Sequence, residues 1–323
     1  MAEGTPMAKR IAICFDGTWN TPDNKGDLDH LERTDHRDEI WFERVNKNAG
    51  VETNVCRLYR SVLTISPGDA KDGIAQIKWY DKGVGTEWYD RISGGAFGTG
   101  LSRKIREGYK FLSSNYDDGD EIFVFGFSRG AYTARSLVGM IRNCGLLPPA
   151  SLQLDQPDDN LHLLEAYEIY RTRDKDADSM RALTFRRKYG ARLIDIKFLG
   201  VWDTVGALGI PIESFGEFNK EQFEFHDTEL SGIVKNAYHA IAVDEHRKPY
   251  AATLWDPKTK PDQTIEQRWF IGAHADVGGG YPSRKLSDLT IEMAAREGAG
   301  LRLGARSSGY SGTGGRRLAW FDC

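Results

Sequence analysis

Cysteine is scarce in this 323-residue chain, and the four present, Cys14, Cys56, Cys144 and Cys323, stand far apart with no C-x-x-C pair. That spacing argues against a disulfide framework and a structural zinc site, and it fits a reducing compartment. Long apolar runs are missing too. No window approaches the roughly eighteen apolar residues of a membrane span, and Met1 to Arg10 lack the apolar stretch of a signal peptide, so a soluble protein, cytoplasmic as synthesised, is expected. Nor is there a basic block: 43 Lys and Arg stand against 47 Asp and Glu, a formal net charge of −4. The electrostatic footprint of a nucleic-acid binder and a polybasic membrane anchor are both absent, so no nucleic-acid partner is expected. No internal repeat is found.

What remains is a chain that is 40% hydrophobic and 28% charged, enough to bury one large core. Short apolar runs read as buried strands: Ile11 to Phe15, Ile77 to Tyr80, Glu121 to Phe125, Ile196 to Trp202 and Arg268 to Ala273. Helical stripes separate them. Val55, Leu58, Tyr59 and Val62 form one, with Thr53 or Asn54 as its N-cap; Leu101, Ile105, Tyr109 and Leu112 form a second; Ala131, Ala134, Leu137, Val138 and Ile141 form a third. Asn236 to Glu245 also reads as a helix, with His239 and His246 as packed or solvated residues. Strands alternating with such helices need crossover connections, which give a mostly parallel, doubly wound α/β sheet. One catalytic domain over 8–297 is expected, with a charged insertion at 20–50 and a second at 148–190. The second carries Leu161, Leu164, Tyr167 and Tyr170 at helical spacing and reads either as a helical cap or as a plain surface excursion. Residues 298–323, rich in Gly, Ser and Arg, read as a disordered tail.

The sharpest local signal is Gly126-Phe127-Ser128-Arg129-Gly130. In a nucleophile elbow the chain leaves a strand, turns with a serine at the apex and enters a helix, so small residues are needed two before and two after. Chance alone supplies ~0.2 such pentapeptides in a chain of this size and composition. The good strand before it and the good helix after it raise the signal well above that, making Ser128 the candidate nucleophile.

A serine needs a histidine base, and the base needs a carboxylate. In this fold the chain order is Ser, acid, His, which leaves out His30 and His36. His274 ends the apolar run Trp269 to Ala273 and precedes a glycine loop, so it is the candidate base. Asp203 closes the run Ile196 to Trp202 at a strand's carboxyl end, where sites in open α/β sheets lie, and is the first choice of acid. Asp276 and Asp244 are the alternative acids. The oxyanion hole needs an amide after the nucleophile, Arg129, and one from the loop after the first strand, Gly17 or Thr18. Asp16-Gly17-Thr18 also resembles half of the phosphatase motif D-x-D-G-T, but Cys14 occupies the place of its first Asp. The glycine-rich run 94–100 lacks the lysine of a phosphate loop, Leu101 standing there instead, and reads as an approach to the helix beginning near Leu101. No cofactor and no metal are expected.

Five ordered motifs resemble one family: Phe15 to Asn20, Gly126 to Ala131, Phe198 to Gly206, His239 to Asp244 and Gly272 to Tyr281. It is the α/β-hydrolase domain that includes the phospholipase effectors of type VI secretion. The resemblance spans roughly residues 10 to 295. It implies an α/β-hydrolase fold, a Ser128, Asp203 and His274 triad, and ester hydrolysis on phospholipids, most often of phospholipase A type. It further implies a lipid substrate met at a membrane surface, delivery by a signal-peptide-independent secretion system, and secretion components or an immunity protein as partners. The tail departs from the family after Leu286-Ser287-Asp288, as a truncated or frame-shifted end would. A carboxylesterase on soluble esters and a non-catalytic binding module on the same fold share these motifs.

Overall fold

The computed structural model describes residues 8–17, 52–65, 74–83, 97–152, 160–172, 178–206, 229–247, 250–257, 260–297, 301 and 303. The insertion at 20–50 and most of the tail at 298–323 lie outside them. Six strands form a single sheet: β1 (Lys9–Phe15), β2 (Ala75–Asp81), β3 (Glu121–Phe127), β4 (Ile196–Trp202), β5 (Val234–Ala242) and β6 (Thr264–Phe270). The order is β2-β1-β3-β4-β5-β6, and every neighbouring pair is parallel.

Helices cover both faces. Ile11, Ile13, Ile122 and Val124 point into one apolar cluster, while Ala12, Cys14, Phe123 and Phe125 point into the other, as the two-residue strand period requires. The first cluster is closed by α2 (Phe97–Asn115), α3 (Arg129–Cys144), α4 (Leu161–Arg171) and α5 (Met180–Tyr189). The second is closed by α1 (Asn54–Ser61) and α7 (Ser287–Glu297), with α6 (His274–Gly278) beside it. This is the doubly wound α/β architecture expected from the strand and helix pattern. Leu301 and Leu303 pack on the second cluster, and Leu303 bridges to Val62.

Local chemistry accounts for the element ends. The Thr53 hydroxyl caps α1 by accepting the Cys56 N–H at 3.0 Å, and Asn160 caps α4 by accepting from His162 and Leu163. The described helices of the 148–190 insertion are core packing: Leu163, Ala166 and Ile169 are buried with α3 in one cluster, and the Cys144 Sγ donates to the Ala166 carbonyl. Two expectations are corrected. Asn236 to Glu245 contains no helix, because β5 is paired on both sides, by β4 and β6, and buried in the sheet. The last strand runs Thr264–Phe270 rather than Arg268 to Ala273, at the sheet edge with Thr264, Arg268 and Trp269 exposed. The helix expected near Leu101 begins at Phe97.

Candidate active site

The chain moves outward from β1 to β2 and returns past β1 to β3, so the carboxyl ends of β1 and β3 open onto a topological switch point. Ser128 lies there, between β3 and α3, with φ 58° and ψ −122°. A non-glycine residue in that region carries about 1–3 kcal/mol of strain and persists only where its surroundings enforce it. Here they do. The Ser128 N–H donates to the Trp202 carbonyl at 3.0 Å. A Cβ on Gly126 would come within 2.5 Å of the Gly130 carbonyl oxygen, and one on Gly130 within 2.2 Å of the Phe15 carbonyl oxygen. Both glycines are therefore steric necessities of the elbow.

Asp203 follows β4 in a second left-handed turn, φ 37°. Its N–H donates to the Ala240 carbonyl at 2.7 Å, and its Oδ1 accepts the Ala242 N–H at 3.0 Å. That fixes the carboxylate and turns Oδ2 toward His274 Nδ1, 2.6 Å away. His274 opens α6 just past β6, and its Nε2 lies 2.8 Å from Ser128 Oγ. Ser128, His274 and Asp203 thus form one unbroken hydrogen-bonded chain. All three are buried, Asp203 completely. The rings of Phe127 and Tyr250 pack against the imidazole at centroid distances of 4.6 and 5.0 Å. A proton on Nδ1, facing the Asp203 carboxylate, leaves Nε2 as an acceptor facing the Ser128 hydroxyl.

The alternative acids stand elsewhere. Asp276 turns back to cap its own helix, Oδ2 accepting the Ala273 N–H at 3.0 Å. Asp244 accepts the Gly272 N–H at 2.7 Å and so braces the loop leading to His274. Arg129 directly follows Ser128 as the first residue of α3. Gly17 lies against Ser128, a Cβ there falling 3.5 Å from the Ser128 Cβ, but its N–H donates to Asp16 Oδ1 at 2.7 Å. Thr18 lies outside the described residues.

Two buried groups near the site were not assigned from sequence. Asp16 accepts from the Thr53 hydroxyl at 2.6 Å, the Tyr80 hydroxyl at 2.5 Å and the Gly17 amide. Burial pushes its carboxyl up to about 7 against these donors. A carboxylate so enclosed holds the β1 loop in place and is poorly set up as a phosphatase nucleophile. His239 on β5 accepts the Thr204 N–H at Nε2, 3.1 Å, directly behind the Asp203 turn. Burial, then the Arg135 charge, hold it neutral with a pKa of about 3. No sequence signal marks either role, since both depend on which strands become neighbours.

Comparison with known proteins gives the family. A family model described as the catalytic domain of the Tle1-like phospholipase effectors of type VI secretion matches residues 9–297. The chain belongs to this family. The Tle1-like domain is also similar to the uncharacterized protein YEL023C of Saccharomyces cerevisiae, 27% identical over 243 residues, covering 68% of this chain and 32% of the yeast protein. Among solved structures it is similar to a Tle1 effector bound to the VgrG spike of the type 6 secretion system, at 21% identity and a TM-score of 0.43, covering 85% of this chain and 51% of that one. An uncharacterized protein from Pseudomonas aeruginosa is similar at 17% identity and a TM-score of 0.47, over 92% of this chain and 47% of the other. The chain therefore spans about a third of the yeast relative and about half of each solved structure. Among the described residues no helix is long and apolar enough to cross a membrane.

Proposed function

We propose that this Tle1-like domain is a serine hydrolase that cleaves a carboxylic ester of a phospholipid, in the manner of a phospholipase A. The observation that carries the reading is the Ser128–His274–Asp203 hydrogen-bonded chain, with contacts of 2.8 and 2.6 Å, at the carboxyl ends of β3, β6 and β4. Ser128 Oγ attacks the ester carbonyl carbon as its proton passes to His274 Nε2. The imidazolium is stabilised by Asp203, and the tetrahedral oxyanion is received by the Arg129 amide. The second donor is proposed from the loop after β1, where the sequence offers Gly17 or Thr18 and the Gly17 amide already donates to Asp16. His274 then returns the proton to the leaving alcohol, the acyl group stays on Ser128, and water deprotonated by His274 releases the fatty acid.

Family membership supports the phospholipid and the delivery of the domain by a secretion system that uses no signal peptide; a spike component is a proposed partner. The test is a lipid panel in vesicles run beside short-chain soluble esters, with wild type and Ser128→Ala. Wild type is expected to release fatty acid and lysophospholipid and to react with a fluorophosphonate probe, and Ser128→Ala to do neither. Turnover of soluble esters alone would favour a carboxylesterase, and no probe reaction at all a binding module.

A further inference from the structure

His274 is held by more than Asp203. Its backbone N–H donates to Glu245 Oε2 at 3.3 Å, and the Glu245 side chain is only 4% exposed. Arg247 grips that carboxylate through its amide at 2.9 Å and Nε at 2.8 Å, both to Oε1, and through Nη2 at 2.6 Å to Oε2. The guanidinium carbon of Arg247 lies 4.0 Å from the centre of the Tyr250 ring, and the turn between them is closed by the Tyr250 N–H on the Arg247 carbonyl at 2.9 Å. The edge of Tyr250 meets the His274 imidazole at 5.0 Å and 69°. Carboxylate, guanidinium and phenol ring thus form a closed circuit that begins at the backbone of His274 and ends at its ring.

We propose that Glu245, Arg247 and Tyr250 act together as positioning residues for His274, fixing its backbone and ring plane so that Nε2 stays aimed at Ser128 Oγ. The proposal rests on the reading of His274 as the general base. Three physical points carry it. Charge-assisted, multiply bonded Arg–carboxylate contacts set angles as well as distances. Burial alone would raise the Glu245 carboxyl; the Arg247 side chain and amide and the His274 amide outweigh it and bring it down to about 2, so the anion persists through neutral pH. Misplacing a reacting group by about 1 Å costs on the order of 10² in rate, so orientation is what such a brace would supply. The same connection between β5 and β6 also bonds the acid's turn, through the Thr253 N–H on the Thr204 carbonyl at 2.8 Å and a bridge from Val205 to Ala252. One loop therefore holds both the base and the acid in register.

The groups in contact with His274 are Asp203 and Ser128 from the ends of β4 and β3 and Glu245 and Tyr250 from the β5–β6 connection; Arg247 acts on Glu245 and Tyr250, and Asp276 and Tyr281 interact with this set from the segment of His274 itself. The experiment measures fluorophosphonate inactivation per titrated active site across pH. Tyr250→Ala is expected to slow the per-site rate about tenfold or more with half-saturation unchanged, and Tyr250→Phe, which keeps the ring, to restore it. Glu245→Gln removes an anion that favours the imidazolium, so the acid limb moves to lower pH. Arg247→Gln leaves that anion without its cation, so the limb moves to higher pH; each shift is roughly half a unit. A merely structural role would reduce the number of reactive sites and leave the per-site rate and the limb unmoved, which would overturn the proposal. A wild type that never reacts removes the hydrolase reading and this inference with it. Reactive wild type with unmoved variants removes the brace alone.

Discussion

At the scale of single residues, Asp203 is the position where three carboxylates competed. Asp203, Asp244 and Asp276 all follow strands or open turns; the first two precede His274, as the order Ser, acid, His requires, and Asp276 follows it. Geometry separates them, because only Asp203 directs an oxygen at the His274 ring, while the other two are spent on amides. Asp203→Asn is a clean variant, since asparagine tolerates the left-handed φ of 37° that most residues resist. With an amide facing Nδ1 the histidine takes the wrong tautomer, and kcat is expected to fall about 10⁴-fold with little change in thermal stability. Esterase kinetics beside a melting curve check both halves. Asp203→Ala should add a stability loss from backbone strain, and equal melting of the two variants would show that the turn is unstrained.

Among the elements, the elbow was the most legible and β5 the least. Gly126 and Gly130 are read from a pentapeptide because the clash they avoid is with the local backbone and with β1, which any strand–turn–helix brings close. Gly130→Ala sets a Cβ 2.2 Å from the Phe15 carbonyl oxygen, which no flexible side chain can relieve. We expect a loss of about 4 kcal/mol or more, seen as failure to express soluble protein or as a collapsed denaturant midpoint. A near-native midpoint would mean that the elbow is looser than described. β5, by contrast, carries Ala237, Ala240 and Ala242, good helix formers whose intrinsic preference is overridden by pairing on both sides. A strand buried on both faces shows no alternation, so its period cannot be told from that of a buried helix. β6 was misplaced for the opposite reason: its first half, Thr264 to Gln267, is polar except for Ile265 and reads as a loop until an edge is known to be there.

For the molecule as a whole, two buried titratable groups give folding stability a signed pH dependence. His239, whose usual value of 6.5 is lowered to about 3 by burial and by Arg135, contributes stability that is present above pH 6.5 and lost as pH falls toward 3. Asp16, raised from 3.8 to about 7 by burial, contributes stability that is present below 3.8 and lost as pH rises through 7. Urea unfolding across pH should therefore lose part of its acid-side slope in His239→Gln and part of its slope between about pH 4 and 7 in Asp16→Asn. Each effect is at most a few kcal/mol. Slopes that match wild type in both variants would show that neither group titrates differently on folding. Sequence by itself determined what is local: the strands and helices with clear periods, the doubly wound class, and an elbow whose two glycines flank Ser128 between a strand and a helix. Only the tertiary structure decided which carboxylate meets the His274 ring, why Gly17 is already engaged by Asp16, and how Glu245, Arg247 and Tyr250 close on His274. His274 stands 146 residues from Ser128 and 71 from Asp203, and contacts across such separations are set by strand order and register, which no local pattern encodes.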